Sequence, residues 1–428
     1  MFPTDFEAPL ATRALGGRLK IARASGAHLW DSEGQRYVDL GGSSAVANIG
    51  HCHPRVVAAV QEQAAQLMHS KLSYLSAPRE RYLEQLHGIR PRGTDRVAFT
   101  LNGSDANVLA VRLAQASTRR SAVAVFQGGY HGRGPAAAAL GSLRRAGDDV
   151  FRTTFPVHFI AYPDLYRPPL DGRDQALLSR DCLAQLERVA DPSFGGGGPL
   201  AAVLVEPIQA PAGVVLPPPG FLAELRSTCD RIGALLIVDE VQTGFGRTGT
   251  AWCADAQAVE ADLVTFGKGI GGGLPAAGVF GREDVMTALP PGAHGGTMLA
   301  NAVNMAAGAA AIEVFRDEQL DQRASQLGER ARRYLDAALA HTDVVGDIRG
   351  AGLLIGIDLV LDRGTKARAG ELAASVARRC QREGVLVGRS LAHRNVLKLA
   401  PPLTIDPDDL DQALACLVSC LTSVSSPS

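Results

Sequence analysis

The sequence predicts an α/β protein, with a mostly parallel central sheet carrying helices on both faces and a smaller α/β unit at the C-terminal end. Three observations carry that expectation. From about residue 96 to residue 270, short apolar runs alternate with helical stretches. Apolar runs rich in Val, Leu and Ile are expected of strands covered on both faces. Beyond about residue 310 the pattern changes to charged helices separated by short strands, which reads as a second set of elements.

Taken in order, residues 26–40 (GAHLWDSEGQRYVDL) alternate apolar and polar around Ser32–Gly34 and read as a hairpin. Strands are expected at RVAFTL (96–101), SAVAVF (121–126), LAAVLVE (200–206), ALLIVDE (234–240) and DLVTF (262–266). NVLAVRLAQAS, after the first run, reads as helix. FLAELRSTCDRIG is apolar at 221, 222, 225, 229 and 232 and closes on Gly233, a helix with a glycine stop. Strand–helix alternation implies right-handed crossovers, and ligands bind beyond the carboxyl ends of such strands. SFGGGGP (193–199) and LPPPG (216–220) read as loops. Further on, the sequence predicts a charged helix over about 317–340 and a strand over GDIRGAGLLIGIDLV (346–360). A helix over 369–384, a strand at VLVG (385–388) and an amphipathic helix over 407–421 follow. The expected division is 1–50 as an N-terminal segment packing with the small domain, 51–310 as the large domain, and 311–428 as the small domain.

Composition excludes several classes. Of 428 residues, 46% are hydrophobic and 20% charged, the balance of an ordinary globular protein. The 43 basic and 44 acidic residues give a formal net charge of -1, so neither nucleic acid nor an anionic membrane is an expected partner. The seven cysteines are scattered, odd in number and without a CxxC pair. That argues against a disulfide framework or a structural zinc site, and fits a reducing cytoplasm. The opening MFPTDFEAPLATRALGG has no signal-peptide core, and no run approaches the roughly 20 apolar residues of a membrane span. A soluble cytoplasmic protein with no metal is expected.

Polar residues cluster where the strands end. After RVAFTL come Asn102, Gly103, Ser104 and Asp105 at a helix start, where free N–H groups attract phosphate and glycine permits close approach. Alone, that pattern is also a plain helix N-cap. After SAVAVF, Tyr130 and His131 sit in FQGGYHGRG, either a surface turn or a place for a ring against a flat cofactor. ALLIVDE ends in Asp239 and Glu240, followed by Val241 and Gln242. A carboxylate at the end of a buried strand needs a partner, and a pyridinium nitrogen is one. DLVTFGKGIGGGLP places Lys268 in a glycine-rich turn at a strand end, a candidate imine-forming amine. GKGIGG (267–272) also matches a dinucleotide fingerprint, but Gly273, Leu274 and Pro275 make a poor helix start. A P-loop fails because position 262 is Asp and Gly269 follows the lysine.

Together these residues resemble the class III, pyridoxal-phosphate-dependent aminotransferases of fold type I. The resemblance runs from about residue 20 to residue 420. It rests on IGHCHPRVV (49–57), NGSDAN (102–107), YHGR (130–133), VEPIQ (205–209), DEVQTGFGRTG (239–249) and the lysine of FGKGIGGGLP (266–275). It implies a homodimer with a shared active site, small-molecule amine and keto-acid substrates, and residues 51–310 as the cofactor-binding domain. It further implies that Lys268 holds the cofactor as a Schiff base and shuttles the proton, while Asp239 keeps the pyridine nitrogen protonated. Gly103 and Ser104 would cradle the phosphate, with Thr297 of HGGTMLAN entering from the partner subunit. Tyr130 and Val241 would cover the two ring faces, His131 would lie beside them, Gln242 would bond the ring hydroxyl, and Glu206 would border cofactor or substrate.

The chain departs from the family at the substrate end. Many members hold the α-carboxylate with an arginine before the C-terminal PPL element, where this sequence has Lys398. A glutamate that often masks that arginine is here Pro211. Lys398 and Arg133 are therefore the expected substrate anchors, with Arg389 and Arg394 as further candidates. Met298, Leu299 and Ala300 replace a glycine-rich continuation after Thr297. Transamination of a primary amine or amino acid, with an ω-amino group among the possibilities, is the first expectation. Racemisation, aminomutation or decarboxylating transamination on the same scaffold is the alternative, and a nicotinamide-dependent oxidoreductase a distant one.

Overall fold

The structure is a computed structural model that describes residues 19–143, 155–169, 177–194 and 198–424. The opening segment and the centre of the SFGGGGP loop lie outside the described residues. Seven strands form the central sheet, in the order Arg96–Thr100, Ala277–Gly281, Leu263–Phe266, Leu235–Asp239, Leu200–Val205, Ala122–Phe126 and Val157–Ile160. All neighbours are parallel except Ala277–Gly281, which runs against both of its partners. Every residue of Ala122–Phe126 and Leu200–Val205 is buried, as continuous apolar runs require when helices cover both faces.

All five strands expected in this sheet are present. Two others are not evident from the sequence. Val157–Ile160 carries His158 inside a four-residue run, and Ala277–Gly281 is short and bounded by glycine. Gly278 is needed there, because a Cβ would meet the carbonyl oxygen of Ala98 at 2.3 Å.

Ala302–Asp317 is a helix not evident from the sequence, and after it Gln319 turns left-handed at φ 48° before Leu320–Leu339, the charged helix expected over about 317–340. The first is buried along most of its length, so it lacks the polar face that makes a helical period visible. The strand expected over 346–360 is a hairpin, Val345–Ala351 against Leu354–Asp362. Gly352 reverses the chain at φ 51°, where a Cβ would lie 2.5 Å from the backbone of Gly249. VLVG is likewise two strands: Val385–Leu386 joins the N-terminal sheet, and Gly388–Arg389 joins the sheet of the hairpin.

The N-terminal hairpin is present as His28–Asp31 against Arg36–Asp39, and Val385–Leu386 pairs in parallel with the second of these. Residue Lys398 sits on Val396–Leu399, opposite Gly356 and Gly388 in the small antiparallel sheet. No helix of the described residues is long and apolar enough to cross a membrane.

Candidate active site

Four of the parallel strands and the helix Gly103–Thr118 bring their ends to one cavity of about 400 Å³. Gly103, Ser104, Tyr130, His131, Glu206, Asp239, Val241, Gln242 and Lys268 all line it. Thr297, Arg133 and Lys398 do not.

Asp239 ends its strand with the carboxylate buried. One oxygen accepts from Asn107 Nδ2 at 2.7 Å and lies 2.8 Å from His131 Nδ1. The other accepts the backbone N–H of Val241 at 3.0 Å. Asn107 is itself fixed, because Thr265 Oγ1 donates to its Oδ1 at 2.8 Å. A buried carboxylate is expensive unless bonded, and these donors hold it in one orientation. Neither Asn107 nor Thr265 is assigned a role by the sequence reading. The available signal is their position: Asn107 closes NGSDAN one turn into a helix, and Thr265 is a polar residue within an apolar strand.

Lys268 donates from Nζ to Gln242 Oε1 at 2.7 Å. Its turn, Lys268–Gly271, is one turn of 3₁₀-helix with no α-helix behind it. GKGIGG therefore lacks the helix N-terminus that a dinucleotide pyrophosphate needs. Burial lowers the Lys268 amine to about 8, with Arg247 acting in the same direction and Asp239 and Glu206 against it. Burial and the nearby Lys268 lower the Lys398 amine to about 7, while Glu206 opposes them. Glu206 accepts the N–H of Tyr130 at 2.8 Å. Burial and the charge of Asp239 push its carboxyl well above the ordinary carboxylate range.

The phosphate-end geometry is narrow. A Cβ on Gly103 would lie 2.7 Å from Val241 Cγ1, and one on Gly132 would lie 2.1 Å from Ser104 Oγ. The Asn102 side chain caps the helix by accepting the N–H of Asp105 at 3.0 Å. Gly103 and Ser104, at the start of that helix, line the cavity, and a helix start favours an anion.

Two expected substrate residues are placed differently. Arg133 is exposed and lies outside the cavity lining, its N–H donating to Ser104 Oγ at 3.3 Å. Lys398 is half-buried beside the lysine and glutamate of the site. Of the further arginines, Arg389 donates to the carbonyl of Gly370 and Arg394 is exposed. Thr297 is exposed, next to the exposed Met298.

The residues fit pyridoxal phosphate. Gln242 Nε2 is buried with no hydrogen-bond partner among the described residues, a donor left for an acceptor from outside them. A half-buried lysine, a fixed carboxylate and a glycine-opened helix start share one cavity, matching the aldehyde, ring nitrogen and phosphate of that cofactor. Fold and site together define a pyridoxal-phosphate-dependent enzyme of fold type I.

Comparison with known proteins agrees. The family model described as aminotransferase class-III matches residues 12–421. The chain is 36% identical to a leucine/methionine racemase of Thermococcus litoralis, covering 97% of this chain and 93% of that protein. It is also 36% identical to the 4-aminobutyrate aminotransferase of Escherichia coli, over 93% and 92% of the two chains. Among solved structures it resembles an amine transaminase from an uncultivated Pseudomonas species in its PLP-bound form. There the TM-score is 0.89 at 29% identity, with 98% of both chains covered. The chain belongs to the class III aminotransferase family, and it is an aminotransferase that uses pyridoxal phosphate.

Proposed function

We propose that the protein transfers an amino group from a primary amine bearing a carboxylate to a keto acid, with Lys268 as the amine that carries the cofactor and moves the proton. The observation that supports this most directly is that Lys268 and Asp239 line one cavity, each held by a neighbouring side chain, Gln242 and Asn107 respectively. When bound, the cofactor supplies an electron sink for negative charge at the carbon next to the substrate nitrogen.

The chain's own residues do the rest. Lys268 Nζ, lowered to about 8, is neutral in a useful fraction near neutral pH and can take a proton and return it. Asp239, fixed by Asn107 and His131, would keep a proton at the ring nitrogen of the bound cofactor. Backbone N–H groups at Gly103 and Ser104 would hold its phosphate at the helix start. Tyr130 and Val241 would pack against the ring, and Gln242 Nε2 would donate to the ring hydroxyl. Glu206, held by the Tyr130 N–H, borders the substrate end. Lys398, rather than the outward-lying Arg133, anchors the substrate carboxylate.

We infer a homodimer in which Thr297 of one subunit completes the phosphate site of the other. Met298, Met68, Tyr74 and Leu75 are all exposed, and Asn301 Nδ2 donates to the Met68 carbonyl at 3.0 Å, which ties the two segments together. Exposed apolar surface gathered in this way favours a second copy. Residues 1–50 and 311–428 are taken as the small-domain side and 51–310 as the cofactor-binding domain. The parallel pairing of Arg36–Asp39 with Val385–Leu386 supports that division. A cytoplasmic location is supported by seven free cysteines.

A second reading is racemisation, favoured by the likeness to the leucine/methionine racemase. One experiment separates the two: a panel of amino acids and ω-amino acids is incubated with and without a keto acid, and both products and chirality are followed. Keto-acid-dependent amine transfer supports the proposal. Inversion of configuration without a keto acid replaces it with the second reading.

A further inference from the structure

Arg247 is fully buried, and no ion pair reaches it among the described residues. Burial lowers it to about 9, against the field of Asp39. Its guanidinium is spent on three segments instead. Nη1 donates to the carbonyls of Leu353 at 3.0 Å and Pro401 at 2.6 Å, and Nη2 donates to Asn48 Oδ1 at 2.8 Å.

Asn48 is buried as well, and its Nδ2 donates to the Phe245 carbonyl at 2.8 Å. Its backbone carbonyl accepts the Leu403 N–H at 2.7 Å. The amide so fixed lies on the backbone of Gly269, where a Cβ would stand 2.5 Å from Asn48 Cγ and 2.7 Å from Nδ2. Gly269 directly follows Lys268, which is itself left-handed at φ 50°. A non-glycine residue keeps that conformation only when its surroundings impose it. Pro401, on the same guanidinium, lies three residues beyond Lys398.

We infer that Arg247 and Asn48 are positioning residues: a single buried guanidinium sets the Asn48 amide against Gly269 and so holds the Lys268 turn in register with the strand carrying Lys398. The inference rests on the reading of Lys268 as the reactive amine. Gly269 is not left-handed, so an alanine there meets no backbone objection. The three heavy atoms nearest that methyl all belong to the Asn48 side chain. The charged groups that face Lys268 are Asp239 and Glu206 from the two strand ends, Arg247 from the glycine-rich loop, and Lys398 from the small sheet.

The test uses the full-length protein stripped of cofactor. Uptake of pyridoxal phosphate is followed by its visible band in the wild type, Gly269→Ala, Asn48→Ala and the double variant. An ångström-scale displacement of a reacting group costs on the order of 10²-fold, and Gly269→Ala is expected to slow uptake by about that factor. The double variant should be faster than Gly269→Ala, because the obstructing amide is gone. In the same preparations the pH at which Lys268 is half-acylated is mapped by peptide mass. Arg247→Met should move it upward, since a nearby positive charge is lost, and Arg247→Lys should leave it in place. Asn48→Ala and Gly269→Ala decide the matter even if Arg247→Met does not fold. Uptake rates equal to wild type with only a lower melting temperature, or a double variant as slow as Gly269→Ala, would overturn the brace. A wild type that never captures the cofactor at Lys268 instead removes the reading on which the brace rests.

Discussion

Nδ1 of His131 lies 2.8 Å from Oδ2 of Asp239, and both groups are buried. Asn107 donates to the same oxygen, so the carboxylate cannot turn away from the cavity it lines. Asp239→Asn keeps the shape and removes the charge. The expected outcome is retained cofactor with kcat lowered by ~10²–10⁴-fold, the usual range for a lost proton-holding group. Single-turnover kinetics with a deuterated donor would check it, and a change of less than about threefold would take Asp239 out of this role.

Lys398 gives a prediction with a definite sign. Its amine is lowered to about 7, so it is a cation below that pH and mostly neutral above it. The KM of a carboxylate-bearing donor should therefore rise as pH increases through about 7. Lys398→Met should raise that KM about tenfold, or roughly 1.4 kcal/mol, and flatten its pH dependence. The KM of an amine without a carboxylate should not move. Equal effects on both donors would show that Lys398 does not read the carboxylate.

Gly103 and Val241 form a tight contact beside the cavity. Gly103→Ala places a methyl 2.7 Å from Val241 Cγ1, an overpacking that costs roughly 1–3 kcal/mol. Cofactor affinity, measured by titration of the stripped protein, should fall by about that amount. Val241→Ala in the same chain should recover part of it, and a purely additive double variant would contradict the contact.

The exposed Thr297 and the partly buried Lys268 call for a test of shared sites. Lys268→Ala lacks the amine, and Thr297→Ala is expected to hold the phosphate weakly. Unfolding and refolding the two together should give hybrid dimers in which one site carries both wild-type residues. Activity above the sum of the separate variants is expected. No gain, with hybrid dimers shown to be present, would place Thr297 outside the neighbouring site.

Much of this was legible in the sequence, and what was not has physical causes. Four of the five expected strands announce themselves because burial on both faces favours apolar runs; the fifth, Arg96–Thr100, is an edge strand and only partly buried. Their polar ends mark the site because polar residues at such ends need partners. The Ala277–Gly281 strand is hidden by its glycines, which serve close backbone approach rather than strand propensity. The helix Ala302–Asp317 is hidden because it has almost no polar face. The placement of Arg133 was hidden for a different reason. Its motif fixes the loop, but Gly132, at φ 128°, packs on Ser104, and the arginine that follows lies outside the cavity. Arg247 and Asn48 lie 199 residues apart, so their contact exists only in the folded chain.

The most direct test of the account is borohydride reduction of the purified protein followed by peptide mapping. The expected result is a visible band that borohydride bleaches, with one pyridoxyl group found on the peptide containing Lys268 and none in Lys268→Ala. Label on another lysine, or a protein that stays colourless after pyridoxal phosphate is added, would contradict it.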